Sequence, residues 1–140
     1  MKSQEKPVLG VRLWPQAYAV ARLREAPPEL APLAKDDAPV ALVIGHGEVS
    51  LLAPVAALEP IADLAEHVSL GWRALTLEAV FPLNTVGVLA SVSRVLAEVG
   101  ISVMAFSSHD TDHFLVPAES VGRALAALGS ADLERFLPRE

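Results

Sequence analysis

The chain has 140 residues and no cysteine, which suits one ordinary domain or two half-size modules sharing a core and excludes disulfides, thiolate zinc sites and cysteine nucleophiles. Its 17 acidic residues against 11 basic ones leave a net charge of −6, the wrong sign for a nucleic-acid partner, whose phosphates must be neutralised. The longest apolar runs, Ala38–Ile44 and Val49–Leu58, fall short of the roughly 20 residues that a membrane-spanning helix needs, and Met1–Gly10 has no apolar signal-peptide core, so the expected location is cytoplasmic with no membrane partner.

Residues 1–10 read as a loose, charged lead-in. Tyr18–Leu23 reads as a strand. Ala26–Pro39 carries four prolines and leaves room for one short helix at most. Val40–Ile44 and Glu48–Leu52 flank Gly45-His46-Gly47, a strong hairpin signal. Pro54 follows, and then Val55–His67 as a broken helical stretch. Trp72–Ala79 alternates and reads as the next strand.

Asn84 or Thr85 is placed to cap a helix over Val86–Val99, whose apolar residues at 88, 89, 92, 95, 96 and 99 form one stripe at helical period. Ser91, Ser93, Arg94 and Glu98 fall off that stripe and are expected to face water. Gly100 stands where a terminating glycine belongs. Ile101–Phe106 and His113–Val116 read as a second hairpin around the polar turn Ser107–Asp112. Pro117 opens a helix over Ala118–Leu128 that Gly129 ends, and Asp132–Leu137 reads as either a last strand or a frayed helix. The order hairpin, proline, helix occurs twice, so the chain reads as a degenerate tandem repeat divided into 11–70 and 71–140. The second half has the order β-α-β-β-α with a possible final β, a ferredoxin-like unit.

The segments Gly71-Trp72-Arg73-Ala74-Leu75, Phe81-Pro82-Leu83-Asn84-Thr85-Val86-Gly87-Val88-Leu89-Ala90-Ser91 and Val99–Val116 resemble the tandem ACT-domain proteins. These are small bacterial amino-acid-binding proteins related to the CASTOR arginine sensors and to the regulatory tail of aspartate kinase. The resemblance implies an α+β fold of two tandem ferredoxin-like (βαββαβ) ACT units with antiparallel sheets side by side, the first unit shortened by its prolines. It implies a regulatory protein that binds a free amino acid at the interface of ACT units and performs no catalysis. The loop into the first helix would supply backbone N–H groups, at Asn84, Thr85, Val86, Gly87 and Val88. The hairpin turn would supply polar side chains, at Ser107, Ser108, His109 and Asp112.

Elementary chemistry supports the same geometry. A helix N-terminus presents unpaired N–H groups and partial positive charge, which suits a carboxylate. Gly87 has no Cβ to block an approach to the backbone. An α-ammonium needs acceptors, and Asp112, Ser107 and Ser108 supply them. The 52% hydrophobic content fits a homodimer, with a regulated protein as a further partner.

Other readings carry less weight. His109-Asp110-Thr111-Asp112-His113 holds metal-ligand residue types, yet the chain has no HExxH and no cysteine, so no metal or cofactor is expected and a small metal-dependent enzyme using this segment is the weakest alternative. Ser108-His109-Asp110 are sequence neighbours and cannot converge as a triad. Gly45-His46-Gly47-Glu48 lacks phosphate-loop spacing. A protein-interaction module with a vestigial site is the nearer alternative.

Overall fold

The computed structural model describes residues 9–137. It is an α+β protein built on antiparallel hairpins, and the chain divides into two compact units, Trp14–Ala74 and a second formed by Leu75 onward together with the stretch up to Leu13. Strand β1 (Gly10–Leu23) and strand β4 (Ala65–Glu78) are each 14 residues long and each contribute residues to both units.

Within 14–74 the strand order is β2-β3-β1-β4, where β2 is Ala41–Gly45 and β3 is Glu48–Pro54. The β2–β3 hairpin turns through His46 and Gly47, both at positive φ (54° and 73°), the conformation of a two-residue type I′ loop. Pro54 closes β3 and opens helix α1 (Val55–Leu58), a single turn. Pro60 lacks an N–H, Ile61 leaves helical geometry, and the segment Glu59–Leu64 is 3-10. The expected helix to His67 therefore stops early, and β4 starts at Ala65, well before Trp72. The proline-rich stretch holds one 3-10 turn, Ala31–Ala34, whose Leu33 joins Ala19, Ala21, Leu23, Leu51, Ala53, Leu58 and Leu64 in this unit's core.

The other unit has the strand order β1-β4-β6-β5, with β5 Met104–Ser107 and β6 Asp112–Pro117. Its helices are α2 (Val88–Glu98) and α3 (Val121–Ser130). Leu75 and Leu77 of β4, Phe114 and Val116 of β6, Val88, Val92 and Leu96 of α2, and Ala124 and Leu128 of α3 close one apolar core. Burying a side chain of this size is worth about 1.5–3 kcal/mol. That core ties the helices to one face of the strands and leaves Thr76, His113 and Leu115 on the other.

Three local expectations change here. Helix α2 is capped by Gly87 in the left-handed region (φ 102°) with no side-chain cap, because Asn84 is spent inside a turn closed by the Thr85 N–H on the Pro82 carbonyl at 2.9 Å. Ser91 is buried instead of facing water, since Arg135 Nη2 donates to its Oγ at 2.9 Å from the chain's far end. The tail carries a 3-10 turn, Glu134–Phe136, and no final strand among the described residues. Gly100 does terminate α2: its N–H reaches Ala97 and that of Ile101 reaches Leu96, at 3.0 and 2.9 Å, which is a Schellman motif. Ile101 is thereby drawn into the core and β5 begins only at Met104. At the other end of the chain, β1 begins at Gly10 and Leu9 is buried, so the loose lead-in does not extend to these two residues, and positions 1–8 lie outside the described residues.

Candidate functional site

The loop from β4 into α2 and the turn between β5 and β6 face each other across an open cleft of about 260 Å³. This is smaller than the roughly 300–1,000 Å³ of sites for drug-sized ligands and suits a small metabolite. One wall is Phe81, Pro82, Leu83 and Thr85 with the first turn of α2; the other is the run Ser107–Asp112.

The helical wall follows from Gly87. Its left-handed backbone turns the chain sharply into α2, and the first intrahelical bond runs from the Ser91 N–H to the Gly87 carbonyl. The N–H groups of Val88, Leu89 and Ala90 precede that bond and have no acceptor inside the helix. All three residues line the cleft, at the positive end of the helix dipole. The absence of a Cβ at Gly87 has a local reason as well: an added Cβ would stand 3.2 Å from Phe136 Cε1.

The hairpin wall is held by hydrogen bonds. Ser107 Oγ donates to Asp112 Oδ1 at 2.5 Å, and the Ser108 N–H donates to the Thr111 carbonyl at 2.9 Å. Thr111 Oγ1 donates to the Leu77 carbonyl at 2.8 Å, and the Phe81 N–H donates to the Asp110 carbonyl at 2.7 Å. These last two bonds fix the turn to β4 and to the loop that follows it. Asp112 Oδ2 accepts no hydrogen bond among the described residues. His109 and Asp110 pair with each other at 2.8 Å and are exposed.

The lining contains two carboxylates and one imidazole but neither lysine nor arginine. A ligand carboxylate here must therefore be met by backbone N–H groups, and a ligand ammonium by Asp112 or Asp110. Among the described residues, no cluster of three or more His, Cys, Asp or Glu is arranged to hold a metal ion.

Of the residues singled out in the sequence, Thr85, Gly87, Val88, Ser107, Ser108, His109 and Asp112 come together around this cleft. Asn84 and Val86 sit in the same loop, exposed and outside the lining. Sequence reasoning named His113 only within the weaker metal-ligand reading of His109–His113 and left it out of the ligand site. Its ring is buried, with Nδ1 2.8 Å from Thr76 Oγ1 and Nε2 3.1 Å from Ser108 Oγ, and it lies 5.1 Å from the Phe106 ring. Burial lowers its pKa below the ordinary imidazole value, and the nearby Asp112 charge opposes that shift. The readable signal was strand alternation, which sets His113 apart from the core-facing Phe114.

Residues 68–130 match the family model of the ACT domain. That span contains α2, the β5–β6 hairpin and all of α3, hence both walls of the cleft. No curated protein sequence matches the chain. The fold is similar to that of an Agobacterium tumefaciens protein, with 23% identity and a TM-score of 0.70 over 87% of each chain. It is also similar to a Vibrio cholerae protein of unknown function, described as a possible transport protein, with 27% identity and a TM-score of 0.69 over 85% of this chain and 86% of that one. A third similar structure is the ligand-free regulatory subunit of aspartate kinase from Thermus thermophilus, with 19% identity and a TM-score of 0.62 over 88% of this chain and 97% of that one.

Proposed function

We propose that this chain is a small-molecule-binding regulatory protein made of two tandem ferredoxin-like ACT units, and that it binds a free amino acid in the cleft between α2 and the β5–β6 turn without transforming it. The observation that carries this reading is the pairing of opposite demands in one small cleft. Three helix-start residues and a carboxylate with one oxygen outside the Ser107 bond line the same cleft, and no basic side chain is among its lining residues. An α-amino acid carries a carboxylate and an ammonium a few ångströms apart, which fits that arrangement. Asp112 takes the ammonium, with Ser107 holding it in place. Val88, Leu89 and Ala90 take the carboxylate.

The ACT-domain match over 68–130 supports the regulatory assignment. The unit Trp14–Ala74, with a 3-10 turn where the first helix would lie, is read as the shortened partner unit. Leu83, Val86 and Leu89 stand 76%, 86% and 44% exposed at or beside the cleft's rim. A second copy of the chain covering these residues would turn the cleft into an interface site, and ligand affinity would then differ between assemblies, which is the basis of a sensor. We assign the protein to the cytoplasm, acting on a protein target without nucleic acid or membrane. Isothermal titration of the full chain with each free amino acid, alongside the Asp112→Ala variant, tests the reading. Binding that survives in the variant unchanged would overturn it.

A further inference from the structure

His113 takes no part in the proposed ligand contacts, yet it is one of only four buried polar residues among those described. Its ring stands directly behind the hairpin wall and is fixed at both nitrogens. Nδ1 lies 2.8 Å from Thr76 Oγ1 and Nε2 3.1 Å from Ser108 Oγ, and both hydroxyls can donate or accept, so the neutral ring is paired at both nitrogens in either tautomer. The neutral ring thus ties Thr76 on β4 to Ser108 in the turn, with Phe106 stacked on its side.

The charged groups near this ring are few. Asp112 is its neighbour on β6; His109 and Asp110 pair with each other in the turn; Glu78 lies exposed two residues beyond Thr76 on β4; Arg12 on β1, between the core-packed Val11 and Leu13, shares the sheet face of Thr76; and β5 offers Phe106 and no charge. A protonated His113 therefore has Asp112 as its nearest counter-charge, the same carboxylate that would hold a ligand ammonium.

Resting on the amino-acid-binding reading above, we propose that His113 is a proton-sensitive positioning residue: its neutral ring holds the hairpin wall in the ligand-taking shape, and its protonated ring competes with the ligand ammonium for Asp112. Both effects act in one direction, so ligand and proton exclude each other. Linkage makes the exclusion reciprocal: a bound amino acid must lower the affinity of His113 for its proton by the same factor that protonation lowers the affinity for the amino acid. Each pKa unit of that coupling is a tenfold loss of ligand affinity on passing from neutral to acid pH.

The test is a titration of the full chain by NMR from mildly alkaline to acid pH, following the imidazole carbon-bound protons of the histidines and the amides of Ser107, Ser108 and Asp112. In the free protein the His113 ring is expected to titrate below the ordinary value of 6.5, with those amides moving at the same midpoint. His109→Asn should leave that midpoint in place. Ser108→Ala should leave the ring titrating while its own and the Ser107 amide cease to follow, a separation that a purely structural histidine would not give. Amides that stay still, or that follow His109 instead, overturn the proposal.

The titration is then repeated with an equimolar mixture of the free proteinogenic amino acids. The His113 midpoint is expected to move further down. A mixture that raises the melting temperature and leaves the midpoint unmoved overturns the coupling and spares the binding reading. A mixture that changes neither overturns the binding reading, and the coupling falls with it.

Discussion

The Ser107 hydroxyl donates to Asp112 Oδ1 at 2.5 Å, and this bond joins the last residue of β5 to the first residue of β6 at the lip of the cleft. Ser107 and Asp112 are also register partners across the hairpin, so the carboxylate is oriented before any ligand arrives. Preorganisation of this kind lowers the ordering cost of binding. Asp112→Asn keeps the shape and removes the charge. A hydrogen bond to a charged group is worth about 1.5–3 kcal/mol, so amino-acid affinity is expected to fall by about 10- to 100-fold. The melting temperature should stay close to wild type, because the side chain is only half-buried. Calorimetric titration paired with thermal melts checks both halves of this statement.

Gly87 is held by two constraints. Its φ of 102° is a region that side chains rarely enter, and a Cβ would meet Phe136 at 3.2 Å. Gly87→Ala is expected to destabilise the protein by about 1–3 kcal/mol. The double variant with Phe136→Ala should recover the steric part alone, giving a non-zero coupling in a urea-unfolding cycle. Additive effects would mean that Phe136 does not crowd this position.

Gly100 supplies the contrast. It has φ 73° and nothing within 4 Å of its missing Cβ. Gly100→Ala should cost about 1 kcal/mol from backbone conformation alone. Gly100→Asn should cost less, because asparagine tolerates the left-handed region. Equal losses in urea-unfolding measurements for Ala and Asn would contradict this account of the α2 terminus.

The buried His113 makes stability depend on pH with a defined sign. Its folded pKa is lowered, chiefly by burial, so between that value and 6.5 the unfolded chain binds more protons than the folded one. The contribution is present in full above 6.5 and is lost as the pH falls towards the folded value. Thermal melts should therefore show a decline beginning near pH 6.5, and the decline should shrink in His113→Gln. An identical pH profile in the variant would assign the decline to other groups.

Much of this architecture was legible because it is written in local backbone chemistry. Gly45-His46-Gly47 read as a hairpin turn, and His46 and Gly47 take the two positive φ values that such a turn needs. Pro54 and Pro117 each close a hairpin and open a helical segment, at φ −53°, ψ 142° and φ −57°, ψ 139°. Gly100 read as a helix terminator and is one. What stayed hidden depends on distant partners. Ser91 looked solvent-facing on its own helix, and only Arg135 explains its burial. β1 extends back to Gly10 through Arg12, Pro15 and Gln16, whose polarity and proline conceal a strand. The hairpin half of the cleft was visible as a dense polar turn. The anchoring of that turn was not, because Thr76 and Leu77 lie on β4, far from the turn in sequence.

The most direct test of the central claim is a thermal-shift comparison of wild type and Asp112→Ala against each free proteinogenic amino acid. A ligand at 100 times its dissociation constant stabilises the folded state by about 2.7 kcal/mol, a melting rise on the order of 5–10 °C for a chain of this size. The account predicts such a rise for one amino acid or one chemical group of them in wild type, and its loss in the variant. No rise with any amino acid, or a rise that Asp112→Ala leaves intact, would contradict the assignment of this cleft.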